Sequence, residues 1–212
     1  MEKLKRWVTM NRIYVIGAGG HAKVVIRTLK EVGFEIESVL DDDANKSGTM
    51  IEDIPAESPI SKLAKLELRN AVIAIGENHI RKEIAEKYGD IDWQTAIHPR
   101  AYVDPSVKIG RGTVVFAGAI IQSGAVIGDH CIVNTGAIVD HDCVIGNYVH
   151  VAPGCSLGGN VSIDEGVFCG IGSCVIPGIK LEKWARVGAG AAVVGDVPAG
   201  KTVVGVPAKP VK

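Results

Sequence analysis

The chain predicts two domains of different class: an α/β Rossmann-like domain over residues 10–98, and an all-β prism of stacked short strands over residues 99–212. Three observations carry this reading. Residues 101–196 fall without a gap into 16 hexads, from Ala101 to Asp196. The residues before them alternate short apolar runs with helical patterns. The composition changes at the same place, with 13 charged residues in the 96 hexad positions against 34 in the other 116.

Taken in order, Arg12–Ile16 is a short apolar strand. Gly17-Ala18-Gly19-Gly20-His21 turns the chain into a helical pattern from Ala22 to Glu31, ended by Gly33. Ile36–Leu40 reads as a second strand and runs into Asp41-Asp42-Asp43. Ser58 reads as a helix N-cap with Pro59 at the first helical position, and the helix extends through Leu68. Ala71–Ile75 is a third strand, followed by Gly76-Glu77-Asn78 and a helix over His79–Lys87. A last strand near Thr95–Ile97 leads through His98-Pro99 into the repeats. Strands alternating with helices imply a parallel sheet. No element is assigned between Asp43 and Ser58.

In the hexads the third position is Val, Ile or Leu 15 times and Cys169 once, and the first position is mostly small. A period of six fits a short strand followed by a turn. Three such strands close one triangular coil, and stacked coils bury the third position. Sixteen hexads give about five coils, or a prism roughly 25 Å tall at the usual strand spacing. Glycines cluster at the fourth and sixth positions, where corners demand φ values that β-branched residues refuse. The scarcity of charge predicts that other subunits cover several outer faces.

Composition excludes other classes. The net charge of -1 gives no nucleic-acid footprint. No apolar run approaches the roughly 18 residues of a membrane span. The basic start runs straight into the glycine turn without a cleavage site, so no signal peptide is read, and residues 1–9 are a short extension. Five cysteines without secretory signals predict free thiols in a reducing cytoplasm. Cys131, Cys143 and Cys155 lie 12 residues apart, on different faces, and Cys169 replaces an interior aliphatic residue. No spacing suits zinc, and small buried thiols are expected.

The Gly17–His21 turn offers backbone N–H groups and a helix dipole to a phosphate. It matches G-x-G-x-x-[GA] at Gly17, Gly19 and Ala22, with Asp41 placed for a ribose hydroxyl. A domain of about 90 residues is half a dinucleotide fold, which favours a single nucleoside diphosphate over NAD. Asp41 and Asp42 could accept hydrogen bonds from a ribose or base without a metal. His141 is the histidine of the repeats with a carboxylate on each side, Asp140 and Asp142. His150 lies nine residues on, half an 18-residue coil away, so the two cannot meet within one chain. Asn134 is a candidate partner for the acceptor or the histidine, or a residue that simply suits a corner. Arg186 and Lys209 read as solvated charge or as contacts to phosphates, and His98 as a hinge residue.

These motifs together, GAGGH, LDDD, AIGEN-IRKEI, IHP and NTGAIVDHDCVIGNYVHVAPG, resemble one family from about Arg12 to Pro207. It contains bacterial nucleotide-sugar amino N-acetyltransferases, of the bacillosamine and perosamine type, and sialic-acid O-acetyltransferases. The resemblance implies a left-handed parallel β-helix and a homotrimer. It assigns Gly19, Gly20 and His21 to a phosphate-contacting turn, Asp41 and Asp42 to the nucleoside, and Gly76 to a backbone contact. His141 becomes the catalytic base, and Asp142 the carboxylate that raises its basicity. His150, Ile171 and Ala189 become acetyl-CoA contacts, and Val204–Lys209 the closing motif beside coenzyme A. The implied activity is acetyl-CoA-dependent N-acetylation of a UDP- or GDP-linked deoxy-amino sugar, in the cytoplasm and without a metal, for surface glycans or glycoproteins. Two alternatives stand: O-acetylation of sialic acid or another sugar hydroxyl, and a non-catalytic trimeric nucleotide-binding scaffold.

Overall fold

The computed structural model describes residues 11–65 and 69–211. The extension over residues 1–9 and the last three residues of the helix expected through Leu68 lie outside them. The chain divides in sequence into two compact units between His98 and Pro99.

The first unit is built on a six-stranded sheet in the order β3-β4-β2-β1-β5-β6. β1 (Arg12–Ile16) lies between β2 (Glu35–Leu40) and β5 (Asn70–Ile73), parallel to both. Its Ile13, Val15 and Ile16 have no exposed surface, as expected of a central parallel strand covered on both faces. Helix α1 (Gly20–Glu31) starts two residues earlier than the sequence predicts and buries Ala22, Val25, Ile26 and Leu29, an i, i+3, i+4, i+7 stripe. A hairpin of β3 (Met50–Ile51) and β4 (Ile54–Glu57) fills the region left unassigned. Its turn residues, Glu52 and Asp53, sit at φ 49° and 66°. A turn of that kind normally announces itself with Gly or Asn, and neither is present. The helix expected from Ser58 is instead a 3₁₀ helix over Ile60–Lys65. Its first N–H, on Ile60, donates to Asp42 Oδ1 at 2.8 Å. The cap therefore comes from 18 residues upstream, which no local pattern reveals. Helix α2 (Asn78–Lys87) follows β5. The strand expected near 95–97 is present as β7 (Ala96–Ile97), and a further short strand, β6 (Asp92–Trp93), precedes it beside β5.

The second unit runs one two-residue strand per hexad, from β8 (Tyr102–Val103) to β23 (Ala192–Val193). The strands form three parallel faces: β10-β13-β16-β19-β22, β8-β11-β14-β17-β20-β23, and β9-β12-β15-β18-β21. Successive partners are one coil apart, as Ile120 pairs with Ile138 and Ile132 with His150. Every third-position side chain from Val115 to Val193 is at most 3% exposed. First positions are also interior: Thr113, Ala119, Cys131, Ala137 and Cys143 are at most 1% exposed, which explains why they are small.

The sixth position takes a positive φ in fourteen consecutive hexads, from Gly112 to Gly190. Five of these residues are not glycine: His130, Asp142, Tyr148, Asn160 and Trp184. The fourth position differs from expectation. Gly128 has no positive φ; a Cβ there would lie 2.7 Å from the carbonyl carbon of Gly146 on the next coil. Glycine is needed at that place for close approach of backbone, not for its dihedral freedom.

At the far end β24 (Thr202–Val204) adds to the first face, and β25 (Lys209–Pro210) returns antiparallel to it. The tail seals the last coil: Ala192 N–H donates to Gly205 O at 3.0 Å, and Ala208 N–H to Ala192 O at 2.8 Å. Four cysteines are buried, but Cys174 is exposed at an outward second position, against the expectation of uniformly buried thiols. Among the described residues no helix is long and apolar enough to cross a membrane.

Candidate functional sites

The first unit holds a cavity of about 510 Å³. All six residues singled out in this unit line it: Gly19, Gly20, His21, Asp41, Asp42 and Gly76. They stand beyond the carboxyl ends of β1, β2 and β5, where parallel sheets bind ligands. Gly17 is structural, at φ 104°, with its missing Cβ replaced by Ile75. A Cβ on Gly19 or Gly20 would meet nothing within 4 Å, so the turn is open to an incoming group. The start of α1 presents partial positive charge to this opening, and Ala22 N–H donates back to Gly19 O at 3.1 Å.

Asp41 is built into the wall. Its Oδ2 accepts from Ala18 N–H at 2.7 Å and from Lys46 Nζ at 2.9 Å, and its Oδ1 from Asp43 N–H at 2.9 Å. Burial alone would raise its pKa, but these donors hold the carboxyl below its ordinary range. Asp42 anchors the 3₁₀ helix through Ile60. Burial, and then the Arg81 guanidinium, push His21 down to about 4, so its imidazole is neutral at pH 7.

Arg81 went unnoticed in the sequence although it is only 1% exposed. Its Nη1 donates to Ile75 O at 3.0 Å and Gly76 O at 3.3 Å, and its Nη2 to Asn78 Oδ1 at 2.9 Å, which fixes the Gly76 turn. The available signal was helical phase: Arg81 shares the buried face of α2 with Asn78, Ile84 and Ala85. Lys46, Ile60, Ile80 and Glu83 also line the cavity without having been foreseen. An open glycine turn with cationic groups nearby suits a phosphate.

In the second unit His141 occupies the corner between β14 (Ile138–Val139) and β15 (Val144–Ile145). Its side chain is 53% exposed, and Nδ1 lies 2.9 Å from Asp142 Oδ2. Its backbone N–H donates to Asp140 Oδ1 at 2.7 Å. The hydrogen bond that His141 donates to Asp142 raises the His141 pKa, and the Asp140 charge adds to it. With Nδ1 donating to the carboxylate, Nε2 keeps the lone pair. Asp142 takes φ 58° at the corner, a conformation Asp tolerates better than most residues. One coil further on, Gly159 lies against the ring: a Cβ there would stand 2.5 Å from His141 Cε1 and Nε2. Gly159 was missed, though the 18-residue register points to it.

His150, on β16 (His150–Val151), is 8% exposed. Its Nε2 lies 3.0 Å from Asn134 Nδ2, and its ring meets Phe168 edge-on at 5.2 Å. Asn134 therefore partners His150 and not the His141 imidazole. Ile171 and Ala189 are exposed fifth-position residues of adjacent coils, joined by Gly190 N–H donating to Ile171 O at 2.8 Å. Within one chain His141 and Asp142 come together, and so do Ile171 and Ala189. The His141 corner joins the second and third faces, opposite the first face that carries His150; the Ile171 and Ala189 corner joins the first and second. Arg186 lies over the Phe168 ring at 5.1 Å. Cys143, beside Asp142, is a poor nucleophile: burial raises its pKa, and its Sγ donates to Gly158 O at 3.2 Å. Among the described residues no group of three or more His, Cys, Asp or Glu could hold a metal ion.

The two units match two family models, the PglD N-terminal domain over residues 12–88 and the GMPPB C-terminal domain over residues 82–183. UDP-N-acetylbacillosamine N-acetyltransferase of Bacillus subtilis (strain 168) is 41% identical over 119 residues, 51% of this chain and 52% of that protein. The chain thus spans about half the length of this curated relative. PerB from Caulobacter crescentus, crystallised with CoA and GDP-perosamine, is 39% identical with a TM-score of 0.89, covering 94% of this chain and 97% of that one. Two further structures of that enzyme replace one histidine, by alanine or by asparagine. The acetyltransferase domain of PglB from Neisseria gonorrhoeae, solved with acetyl coenzyme A, is 40% identical with a TM-score of 0.89, covering 95% and 99%. With near-complete coverage at this identity, the chain belongs to the PglD-like family of hexapeptide acetyltransferases.

Proposed function

We propose that this chain moves the acetyl group of acetyl-CoA to the amine of a UDP- or GDP-linked deoxy-amino sugar. The observation that carries the reading is the His141–Asp142 pair, held at 2.9 Å on an exposed corner. The likeness to an enzyme crystallised with CoA and GDP-perosamine supports it. The nucleotide lies in the cavity of the first unit, with its phosphates on Gly19, Gly20 and His21, its nucleoside toward Asp41 and Asp42, and Gly76 in backbone contact. The neutral sugar amine attacks the thioester carbonyl while Nε2 of His141 takes its proton. The tetrahedral intermediate collapses, the C–S bond breaks, and the imidazolium returns the proton to the departing thiolate. Asp142 stabilises the imidazolium in between. His150, Ile171 and Ala189 hold the acetyl-CoA.

The active unit is a homotrimer. Outward side chains on the second and third faces, Ile138 (37% exposed), Val126 (38%) and Val144 (53%), support cover by other copies. Each site then takes His141 from one chain and His150 from the next. The enzyme works in the cytoplasm, on precursors of surface glycans or glycoproteins.

Thiol release from acetyl-CoA, with UDP-, GDP- and CMP-linked amino sugars and free sialic acid as acceptors, tests the reading. Turnover with an amino nucleotide sugar is expected, and His141→Ala loses about 10²–10⁴-fold of it. Turnover with sialic acid alone refutes N-acetylation. Mixed trimers of His141→Ala and His150→Ala chains regain activity if sites are shared, and stay inactive if they are not.

A further inference from the structure

Asn134 sits between two groups that together fix its orientation. Its Oδ1 accepts from Thr135 N–H at 2.8 Å. Turning the amide over would bring its NH₂ against that N–H, donor to donor. The Nδ2 group therefore faces His150, 3.0 Å from Nε2, and it has only protons to offer. Nε2 must be the acceptor, and the one ring proton must then be on Nδ1.

We infer that Asn134 is a positioning residue that locks His150 in its neutral, Nδ1-protonated tautomer and so reserves it as a hydrogen-bond donor, leaving His141 as the only base of the acetyl-transfer site. The part concerning transfer rests on the function proposed above; the tautomer does not.

The surroundings agree. Phe168, on the next coil of the same face, meets the His150 ring edge-on at 5.2 Å, and the Arg186 guanidinium one coil further covers Phe168 at 5.1 Å. Ile132, paired with His150 from the preceding coil, carries no charge. The charge along this column is thus positive. Burial at 8% exposure opposes a second proton as well. His141 differs on each count: it is half exposed, donates through Nδ1 to a carboxylate and keeps Nε2 for a proton. His150 and His141 are therefore set to opposite tasks, one by an amide and the other by a carboxylate.

Long-range ¹⁵N–¹³C correlation spectra of the full-length protein, with His150 assigned through His150→Gln, read the tautomer directly. The expected result is a pyrrole-type Nδ1 and a pyridine-type Nε2, unchanged from pH 8 to pH 6. A protonated Nε2, or an ordinary histidine titration in that range, overturns the inference. Asn134→Asp is the second measurement. Two acceptor oxygens replace the amide, so Nε2 should become protonated and His150 should titrate at higher pH. KM for acetyl-CoA should rise roughly tenfold above that new pKa, because the Nδ1 donor is lost there. An unchanged His150 spectrum in Asn134→Asp also overturns the inference. If the locked tautomer is found in a protein that acetylates no amino nucleotide sugar, the proposed function fails and the tautomer stands.

Discussion

Replacing Gly159 by alanine should disable the proposed base while leaving the fold intact. The added Cβ would lie 2.5 Å from both Cε1 and Nε2 of His141, whereas ordinary contact begins near 3.4 Å. The ring must retreat by about 1 Å. It can do so because it is 53% exposed and has solvent to move into. That movement draws Nδ1 away from Asp142, now at 2.9 Å, and carries Nε2 off its position. A misplacement of about 1 Å costs roughly 10²-fold in rate. Gly159 has no left-handed φ, so alanine suits the backbone, and reduced freedom of the unfolded chain should add about 0.4–1 kcal/mol of stability. The assay pairs kcat from thiol release with the thermal midpoint. A kcat reduced about 100-fold at an unchanged or raised Tm is the expected outcome. Wild-type kcat would refute the claim that Gly159 seats the ring, and a large fall in Tm would show that the crowding is relieved by the coil instead.

Three other predictions follow from the same geometry. In Asp142→Asn the side chain keeps its size but loses the carboxylate whose hydrogen bond with His141 raises the His141 pKa, so the acid limb of kcat/KM against pH should move to lower pH; an unmoved limb would remove Asp142 from the role. His21 is held at about 4 against an ordinary 6.5, so between those values the unfolded chain binds a proton that the folded one refuses. Its contribution, about 3 kcal/mol, is complete above pH 6.5 and is lost as the pH falls toward 4. Urea midpoints at pH 7.5 and 4.5 should therefore differ less in His21→Gln than in the wild type, and an equal difference would argue against a neutral buried His21. Asp41→Ala leaves Ala18 N–H and Lys46 without their acceptor, so stability should fall by about 1–3 kcal/mol and nucleoside diphosphate affinity should fall with it, read by calorimetry. Unchanged values of both would show that water replaces the carboxylate.

Much of this was legible in the residues because it is periodic or glycine-marked. The hexad phase places Val115–Val193 inside and keeps His141 at a corner, and the turn at Gly17–His21 opens the cavity that all six expected residues line. Features set by distant contacts were not legible. Asp42 reads as a ligand for a nucleoside, yet it holds Ile60 N–H, 18 residues away. Asn134 reads as a corner residue or as a partner for the acceptor or for His141, yet it meets His150, 16 residues on. The β3–β4 hairpin escaped because Glu52 and Asp53 adopt left-handed conformations without a glycine to signal them. Arg81 escaped because a charged residue is read as surface until its helical phase is considered.

The coil register has a consequence for how such a site can change. A residue's height in the prism is set by its count in eighteens and its face by its count in sixes. Whole coils can therefore be gained or lost below His141 without rotating it: the site is lifted or lowered by one strand spacing, about 4.8 Å, with its corner unchanged. A single-residue insertion has the opposite effect. It throws every later side chain out of phase and turns Ala, Val and Ile outward along the whole remaining length. Length variation in this half of the molecule is thus quantised, with loops at corners the only places where smaller steps survive. The first unit, built of strands and helices of unequal length, obeys no such rule.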